Sequence, residues 1–124
     1  MRKQYHFRPS LNGYYAWDVD RLIALASCET PQLIALSDIA ELDENWWFQH
    51  GEVPSGRLIA MHLNILEEAD MRFPIILDSE GRLMDGMHRA VKALARGDEE
   101  ILGVRLSKTP DPDFTDVQPN ELGK

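Results

Sequence analysis

Two helices are predicted in the first half of the chain by apolar residues that recur at helical spacing. The first is expected from about Val19 to Cys28, with Asp18 as its N-cap, and it ends before Pro31. Its apolar face is Val19, Leu22, Ile23 and Ala26. The second is expected to begin after Ser55 and to run to about Asp70. Its apolar face is Leu58, His62, Ile65, Leu66 and Ala69.

A third helix is predicted after the run of apolar residues in the second half of the chain. It opens near Gly86 and runs to about Arg96, with Gly97 at its C-terminal cap. Its predicted buried face is Met87, Ala90, Val91 and Leu94. That assignment places His88 and Arg89 on the exposed side of the first helical turn.

Four short apolar runs bounded by turn residues predict β-strands. They are Leu33–Leu36, Pro74–Leu77, Arg82–Met84 and Ile101–Leu106. The run Pro74–Leu77 is almost continuously apolar, which is typical of a strand buried on both faces. Because Asp78–Gly81 has turn chemistry, the chain is expected to fold back there into the next strand.

The remaining segments carry weaker patterns. Residues 1–16 are aromatic and basic, and they predict an extended or irregular arm. The segment Asp38–Trp47 is ambiguous and can hold a short helical turn. From Ser107 onward, prolines and acidic residues predict an extended acidic tail.

Together these elements predict a mixed α/β (α+β) fold, with a small mixed sheet and helices packed on it in one compact domain. Its core is expected over about residues 33–106, flanked by an arm and helix over residues 1–32 and by the tail over residues 107–124. A length of 124 residues, with 44% hydrophobic and 27% charged residues, fits one globular domain.

Charge and cysteine content narrow the classes of partner and site. The net charge of −8 argues against DNA binding, which depends on neutralising phosphates with Lys and Arg. The single Cys28 excludes an intramolecular disulfide and multi-cysteine metal sites built by this chain. The N-terminus lacks a secretory apolar region, and the longest apolar runs are too short to cross a bilayer. These features predict a cytoplasmic protein with no membrane partner.

The segment Asp85–Arg89, Asp-Gly-Met-His-Arg, is the strongest candidate for chemistry. It lies between a predicted strand and a predicted helix, whose N-terminus offers unpaired amides and partial positive charge to an anion. Gly86 permits close approach to the backbone, and Arg89 can fork onto phosphate oxygens. His88 can exchange a proton near neutral pH, and Asp85 can hold Mg²⁺ or accept a proton.

A purely structural interpretation of the same segment stays open. Asp85 can cap the helix with its own carboxylate, leaving His88 and Arg89 as ordinary solvated side chains. His62 is interpreted first as a hydrogen-bonded core residue, with a second proton-transfer group as the alternative. Trp46–Phe48 is interpreted as core or interface rather than as a stacking platform for a base. The histidines His50, His62 and His88 lack metal-ligand spacing, so no structural metal is expected.

The run from Pro74 to Leu106, with PIILDSEGRLMDGMHRAVKALARG at its start, resembles the ParB/sulfiredoxin fold. Members share an apolar strand, a return strand, a glycine-containing turn, an arginine in the first helical turn and a closing strand. Leu33–Asp70 is similar to the opening strand and following helix of the same fold. The resemblance covers roughly residues 33–106 and implies the fold more specifically than an activity.

Three activities of that superfamily map differently onto the turn. Sulfiredoxins carry a catalytic cysteine in a Gly-Cys-His-Arg turn, and Met87 replaces it here, so sulfinic acid reduction is not expected. ParB proteins bind CTP through Gly-x-x-Arg, which Gly86–Arg89 matches, but no room for a helix-turn-helix domain follows Leu106. Free serine kinases carry Asp-Gly-His-His-Arg, which differs from Asp85–Arg89 only at Met87.

The resemblance therefore implies a nucleotide-binding protein, with ATP or ADP and Mg²⁺ as its cofactor and transfer of phosphate to a small hydroxyl compound as its activity. Gly86, Met87, His88 and Arg89 would bind the phosphates, and Asp85 would hold the metal, with Asp85 and His88 as catalytic residues. Those kinases also use an upstream glutamate, for which Glu52 is a guess from its loop position. The alternative is a non-catalytic regulatory or protein-interaction module, and a homodimer is compatible with either.

Overall fold

The computed structural model describes residues 3–49 and 51–122 and confirms a mixed α/β fold. Three helices are present in this part: α1 Val19–Ala26, α2 Gly56–Glu68 and α3 Met87–Ala95. The strands are β1 Tyr5–Pro9, β2 Tyr14–Asp18, β3 Gln32–Ala35, β4 Ile75–Leu77, β5 Leu83–Asp85, β6 Glu100–Arg105 and β7 Phe114–Val117. No helix of the described residues is long and apolar enough to cross a membrane.

The central sheet has four strands in the order β3-β6-β4-β5. Strands β4 and β6 run parallel, whereas β3 pairs antiparallel with β6 and β5 antiparallel with β4. All three residues of β4 are buried, as the continuous apolar run predicted. Asp78–Gly81 forms the predicted turn between β4 and β5, in which the Asp78 amide donates to the Arg82 carbonyl and the Gly81 amide donates to the Asp78 carbonyl.

Each face of this sheet is covered by its own apolar cluster, because successive side chains of a strand point to opposite faces. Leu36, Ile75, Leu77 and Leu83 pack with the buried side of α3, which is Met87, Ala90 and Ala93. On the other face, Ile76, Met84 and Val104 pack with Leu22 and Ala26 of α1 and with Trp17. The sheet and α3 thereby fix the position of the β5–α3 turn.

The N-terminal arm is not irregular but forms a β-hairpin of β1 and β2, with Tyr5 opposite Asp18 and Pro9 opposite Tyr14. The tail is not a free extended segment, because β7 joins the other edge of β2. Side chains fasten it there: Asp116 accepts hydrogen bonds from the Ser10 hydroxyl and from the Asn12 amide. Arm and tail therefore build a second, three-stranded antiparallel sheet.

Several predicted helix faces differ from those observed. Asp18 caps α1 as predicted, but the helix ends at Ala26 and Ile23 is half exposed. Ser55 caps α2 by accepting from the Leu58 amide, and only His62 of that helix is buried. In α3, Leu94 is exposed and Ala93 takes the buried position in its place. The ambiguous segment Asp38–Trp47 contains the 3₁₀ turn Ala40–Asp43, and a second 3₁₀ turn, Leu36–Asp38, takes up Leu36, the residue predicted to end a strand.

Candidate functional site

A cleft of about 650 Å³ opens at the N-terminal end of α3. The β5–α3 turn forms one side of it, and all five residues of the predicted segment Asp85–Arg89 line it. Strand β1 contributes His6 and its neighbours, and the aromatic segment contributes Trp46 and Trp47. The fold thus brings the candidate anion turn together with aromatic side chains from distant parts of the sequence.

The β5–α3 turn presents the start of the helix to the cleft. Gly86 is the N-cap of α3 with φ 106°, and its carbonyl accepts the first helical hydrogen bond from the Ala90 amide. The N-cap residue has no side chain with which to cap the helix, and the Asp85 carboxylate beside it interacts with the Gly86 amide. Met87 is buried, which leaves its backbone amide as the group that can reach a ligand.

Asp85 and Arg89 form an ion pair one helical turn apart, with Arg89 Nη2 2.9 Å from Asp85 Oδ2. Their side chains are only 20% and 16% exposed, so Arg89 is not the solvated side chain that the sequence predicted. Burial raises the pKa of Asp85, while the Arg89 charge and hydrogen bond and the Gly86 amide oppose that rise. The Arg89 guanidinium therefore lies at the cleft, where an anion could replace the Asp85 carboxylate as its partner.

His88 belongs to a stack of three rings, rather than lying exposed as predicted. Its Nε2 is 2.9 Å from Nδ1 of His62, and both imidazoles stack on Trp47 with ring centroids 4.6 and 4.5 Å away. Burial, followed by the nearby His62, lowers the pKa of His88 to about 4. His62 is indeed a hydrogen-bonded, buried residue, but its partner is the candidate site residue itself.

The opposite wall of the cleft contains a second histidine that sequence patterns did not single out. His6 is buried, stacks on Trp46 with centroids 5.5 Å apart, and accepts a hydrogen bond from Nε of Arg8. Burial and the Arg8 charge lower its pKa to about 3. No local signal could have placed His6 here, because its position depends on the pairing of β1 with β2.

Other candidate residues lie elsewhere or remain outside the described chain. Glu52 lines a different depression with Tyr14 and Gln118, so the structure does not bring it to the cleft. Cys28 follows the C-terminal end of α1 and is exposed. His50 lies outside the described residues. Within residues 3–49 and 51–122, no group of three or more His, Cys, Asp or Glu side chains could hold a metal ion.

Comparisons with known proteins concern the fold. A similar solved structure is a Pnob8-like ParB-N domain in its C2221 form, with a TM-score of 0.38 and 21% sequence identity. The match covers 62% of this chain and 29% of the solved chain, so this chain spans less than a third of that protein. At this TM-score the likeness carries no argument about fold, ligand or activity.

No protein-family model matches the chain. No curated protein matches it either. The function must therefore be argued from the cleft.

Proposed function

We propose that the cleft at the start of α3 binds a small phosphorylated ligand of the nucleotide class. The observation that carries this proposal is the meeting of an uncapped helix N-terminus with an aromatic wall in one cleft of about 650 Å³. That volume lies within the range of small-molecule sites, roughly 300 to 1,000 Å³. The net charge of −8 makes such a local site, rather than a broad basic surface, the place for an anion.

The phosphate end of the ligand would lie at Gly86–Arg89. Ala90 is the first residue whose backbone amide donates a hydrogen bond within the helix, to the Gly86 carbonyl. The amides of Met87, His88 and Arg89 come before it and are therefore free to bind an anion. The helix dipole adds partial positive charge at the same point. Arg89 would leave Asp85 and fork onto phosphate oxygens, a geometry that suits its planar guanidinium.

The aromatic lining of the cleft suits a planar, uncharged group. Trp46 and Trp47 line the cleft together with His6, which stays neutral at pH 7 because its pKa is about 3. Aromatic side chains bind nucleobases by stacking, at about 1 to 3 kcal/mol per base. A nucleotide joins a planar base to a phosphate group, and the cleft is lined both by aromatic side chains and by the Gly86–Arg89 turn.

A resident Mg²⁺ fits the described residues poorly. Asp85 is the one carboxylate of the turn, its pKa is raised by burial, and its oxygen is bound to Arg89. Phosphate transfer to a hydroxyl compound, the activity that the sequence resemblance implies, would place His88, which lines the cleft, beside the transferred group. Its pKa of about 4 makes His88 a weak base at pH 7, so the proposal is binding of the ligand and not its transfer.

Thermal melting with and without nucleotides and inorganic phosphates tests the proposal. A ligand at about 100 times its Kd should add roughly 2.7 kcal/mol, which is a shift of several degrees for a domain of this size. The shift should disappear in Arg89→Ala and shrink in Arg89→Lys, which keeps the charge and loses the fork. Arg96→Ala is the matched control, because it removes the same charge at the other end of α3. A wild-type protein that no compound stabilises would overturn the proposal.

A second candidate function, protein binding, is favoured by the outer surface of α2. Ile59 and Leu63, one turn apart on the same face, expose 45% and 55% of their surface, and α2 packs chiefly against α3. Exposed apolar side chains grouped on one element are typical of interaction surfaces. Substitution Leu63→Glu should abolish self-association, measured by analytical ultracentrifugation, if a second copy covers this helix. A wild-type protein that sediments as a monomer would rule out self-association through this helix.

A further inference from the structure

The imidazoles of His62 on α2 and His88 on α3 are hydrogen-bonded to each other. Nδ1 of His62 and Nε2 of His88 are 2.9 Å apart, and the rings are nearly parallel at 20°. Trp47 stacks on both rings, and Phe48 meets His62 edge to face. His62 is 9% exposed, so only His88 of the pair lines the cleft. The pair therefore has one end in the protein interior and one end at the candidate ligand site.

This geometry has a fixed capacity for protons. In the neutral pair each imidazole carries one N–H, and one hydrogen lies between the rings. One added proton can be accommodated, because the hydrogen bond between Nδ1 of His62 and Nε2 of His88 survives and the outer nitrogens become donors. A second added proton would place two N–H groups against each other at 2.9 Å and break the pair. The pair can thus hold one positive charge and not two.

The charged groups near His88 determine the pH at which the ring takes up a proton. His62 of α2 is hydrogen-bonded to His88. Asp85 of β5, Arg89 of α3 and His6 of β1 line the same cleft as His88, and Lys92 lies one turn further along α3. The segment Trp46–Gln49 contributes only uncharged side chains. Lys92 is bound to the carbonyls of Glu67 and Ala69, and Arg89 is neutralised by Asp85. Without a ligand, burial lowers the pKa of His88 to about 4 and keeps that ring neutral at pH 7, and an anion nearby would oppose this effect.

We propose that His88, held by its hydrogen bond to His62, takes up a proton when an anion enters the cleft, so that anion binding is coupled to pH. His62 acts as a positioning residue: it holds the His88 ring so that the remaining nitrogen, Nδ1, donates to the anion. This inference rests on the proposed phosphate site. It adds that the site binds its anion more tightly as the pH falls.

The sign of the effect follows from linkage. An anion raises the pKa of His88, so a protonated complex is favoured over the range between the pKa of His88 in the free protein and that in the complex. Over that range the affinity should rise by up to about tenfold for each unit by which pH falls. Below the pKa of free His88, about 4, the dependence should end.

Sulfate is the probe, because it remains a dianion throughout this range and cannot itself take up the proton. Isothermal titration of the whole chain at about pH 6, in two buffers of different ionisation enthalpy, measures protons taken up per sulfate bound. We expect a clear uptake, approaching one proton, and a sulfate affinity that weakens between about pH 5 and pH 8. His88→Asn should bind sulfate without this pH dependence. His62→Phe, which keeps the stacked ring, should do the same, whereas His62→Asn, whose amide can replace Nδ1, should retain part of it.

The outcomes separate this inference from the proposed function. Sulfate binding that needs Arg89 but takes up no proton and does not change with pH would overturn the inference and leave the phosphate site standing. If the pH dependence of sulfate binding is unchanged in His62→Phe, His62 does not act as the positioning residue for His88. No sulfate binding at any pH would overturn both proposals. The proton uptake is measured on the unaltered protein, so a variant that fails to fold does not decide the result.

Discussion

Arg8 Nη1 lies 2.8 Å from Asp78 Oδ2, and this ion pair joins the two sheets of the protein. Arg8 belongs to β1, and Asp78 follows β4 of the central sheet. Asp78 also accepts hydrogen bonds from the amides of Glu80 and Arg82, which close the β4–β5 turn. The pair therefore holds the hairpin, and with it one wall of the cleft, against the sheet that carries the β5–α3 turn.

Removing Arg8 should weaken the whole domain. Asp78 is only 3% exposed, and its charge would lose its one cationic partner among the described side chains. Arg8→Ala should therefore lower the free energy of unfolding by roughly 2 to 4 kcal/mol, measured by urea denaturation. Arg72→Ala is the control, because it breaks an exposed Arg–Asp pair and should cost at most about 1 kcal/mol. Equal losses in the two variants would contradict this account.

The buried imidazole of His6 should make the protein sensitive to mild acid. Its pKa is about 3 in the folded state against an ordinary 6.5, because of burial and then the Arg8 charge. Below pH 6.5 the unfolded chain binds a proton that folded His6 does not, so stability is lost as pH falls from 6.5 toward 3. His6 should account for a loss of about 2 kcal/mol between pH 6.5 and pH 5, at about 1.4 kcal/mol per unit.

His6→Phe provides the comparison for this pH effect. Phenylalanine retains an aromatic ring between Trp17 and Trp46 and cannot titrate. It also leaves Nε of Arg8 without its acceptor, so the variant is expected to be less stable at neutral pH. Its unfolding free energy should nevertheless fall less steeply than that of the wild type below pH 6.5. Two parallel stability curves would show that His6 is not the titrating group.

The central part of the fold was predictable because its side chains follow the periods of their elements. The buried run of β4 and the capping residues Asp18 and Ser55 are local signals, and each was found where it was expected. Strand β7 gave no such signal, since Phe114 is exposed and most of the strand faces solvent. It is held by backbone pairing with β2 and by Asp116, contacts between residues about a hundred positions apart.

Only the part of the candidate site that is contiguous in sequence, Asp85–Arg89, was predictable. Asp85–Arg89 is contiguous, so its strand–turn–helix context could be inferred from the pattern around it. The burial of His88 and Arg89 could not, because it depends on His62 and Trp47 arriving from α2 and from the segment before it. The contribution of His6 required the hairpin, whose alternation was obscured by aromatic residues on both faces.

Gly86 should be irreplaceable for two separate reasons. Its φ is 106°, and an added Cβ would lie 2.7 Å from Cγ2 of Ile75 and 2.9 Å from Nη2 of Arg89. Gly86→Ala should therefore cost about 2 to 4 kcal/mol of unfolding free energy, combining backbone strain and overpacking. Gly97→Ala isolates the first term, because its φ is 85° and no atom would lie within 4 Å of the new Cβ. It should cost about 1 kcal/mol, and a cost equal to that of Gly86→Ala would rule out the packing term.

Asp85 should compete with the ligand for Arg89. Its carboxylate forms an ion pair with the Arg89 guanidinium, with Oδ2 2.9 Å from Nη2, and adds negative charge beside the helix N-terminus. Asp85→Asn should therefore raise the affinity for inorganic phosphate and pyrophosphate several-fold, because a neutral amide releases Arg89 more readily than a carboxylate does. Isothermal titration at constant ionic strength measures the change, and Asp98→Asn, which neutralises the partner of Arg96 at the far end of α3, serves as the control. A weaker affinity in Asp85→Asn than in the wild type would instead assign Asp85 to ligand binding, since the variant loses the carboxylate while keeping the size and shape of the side chain.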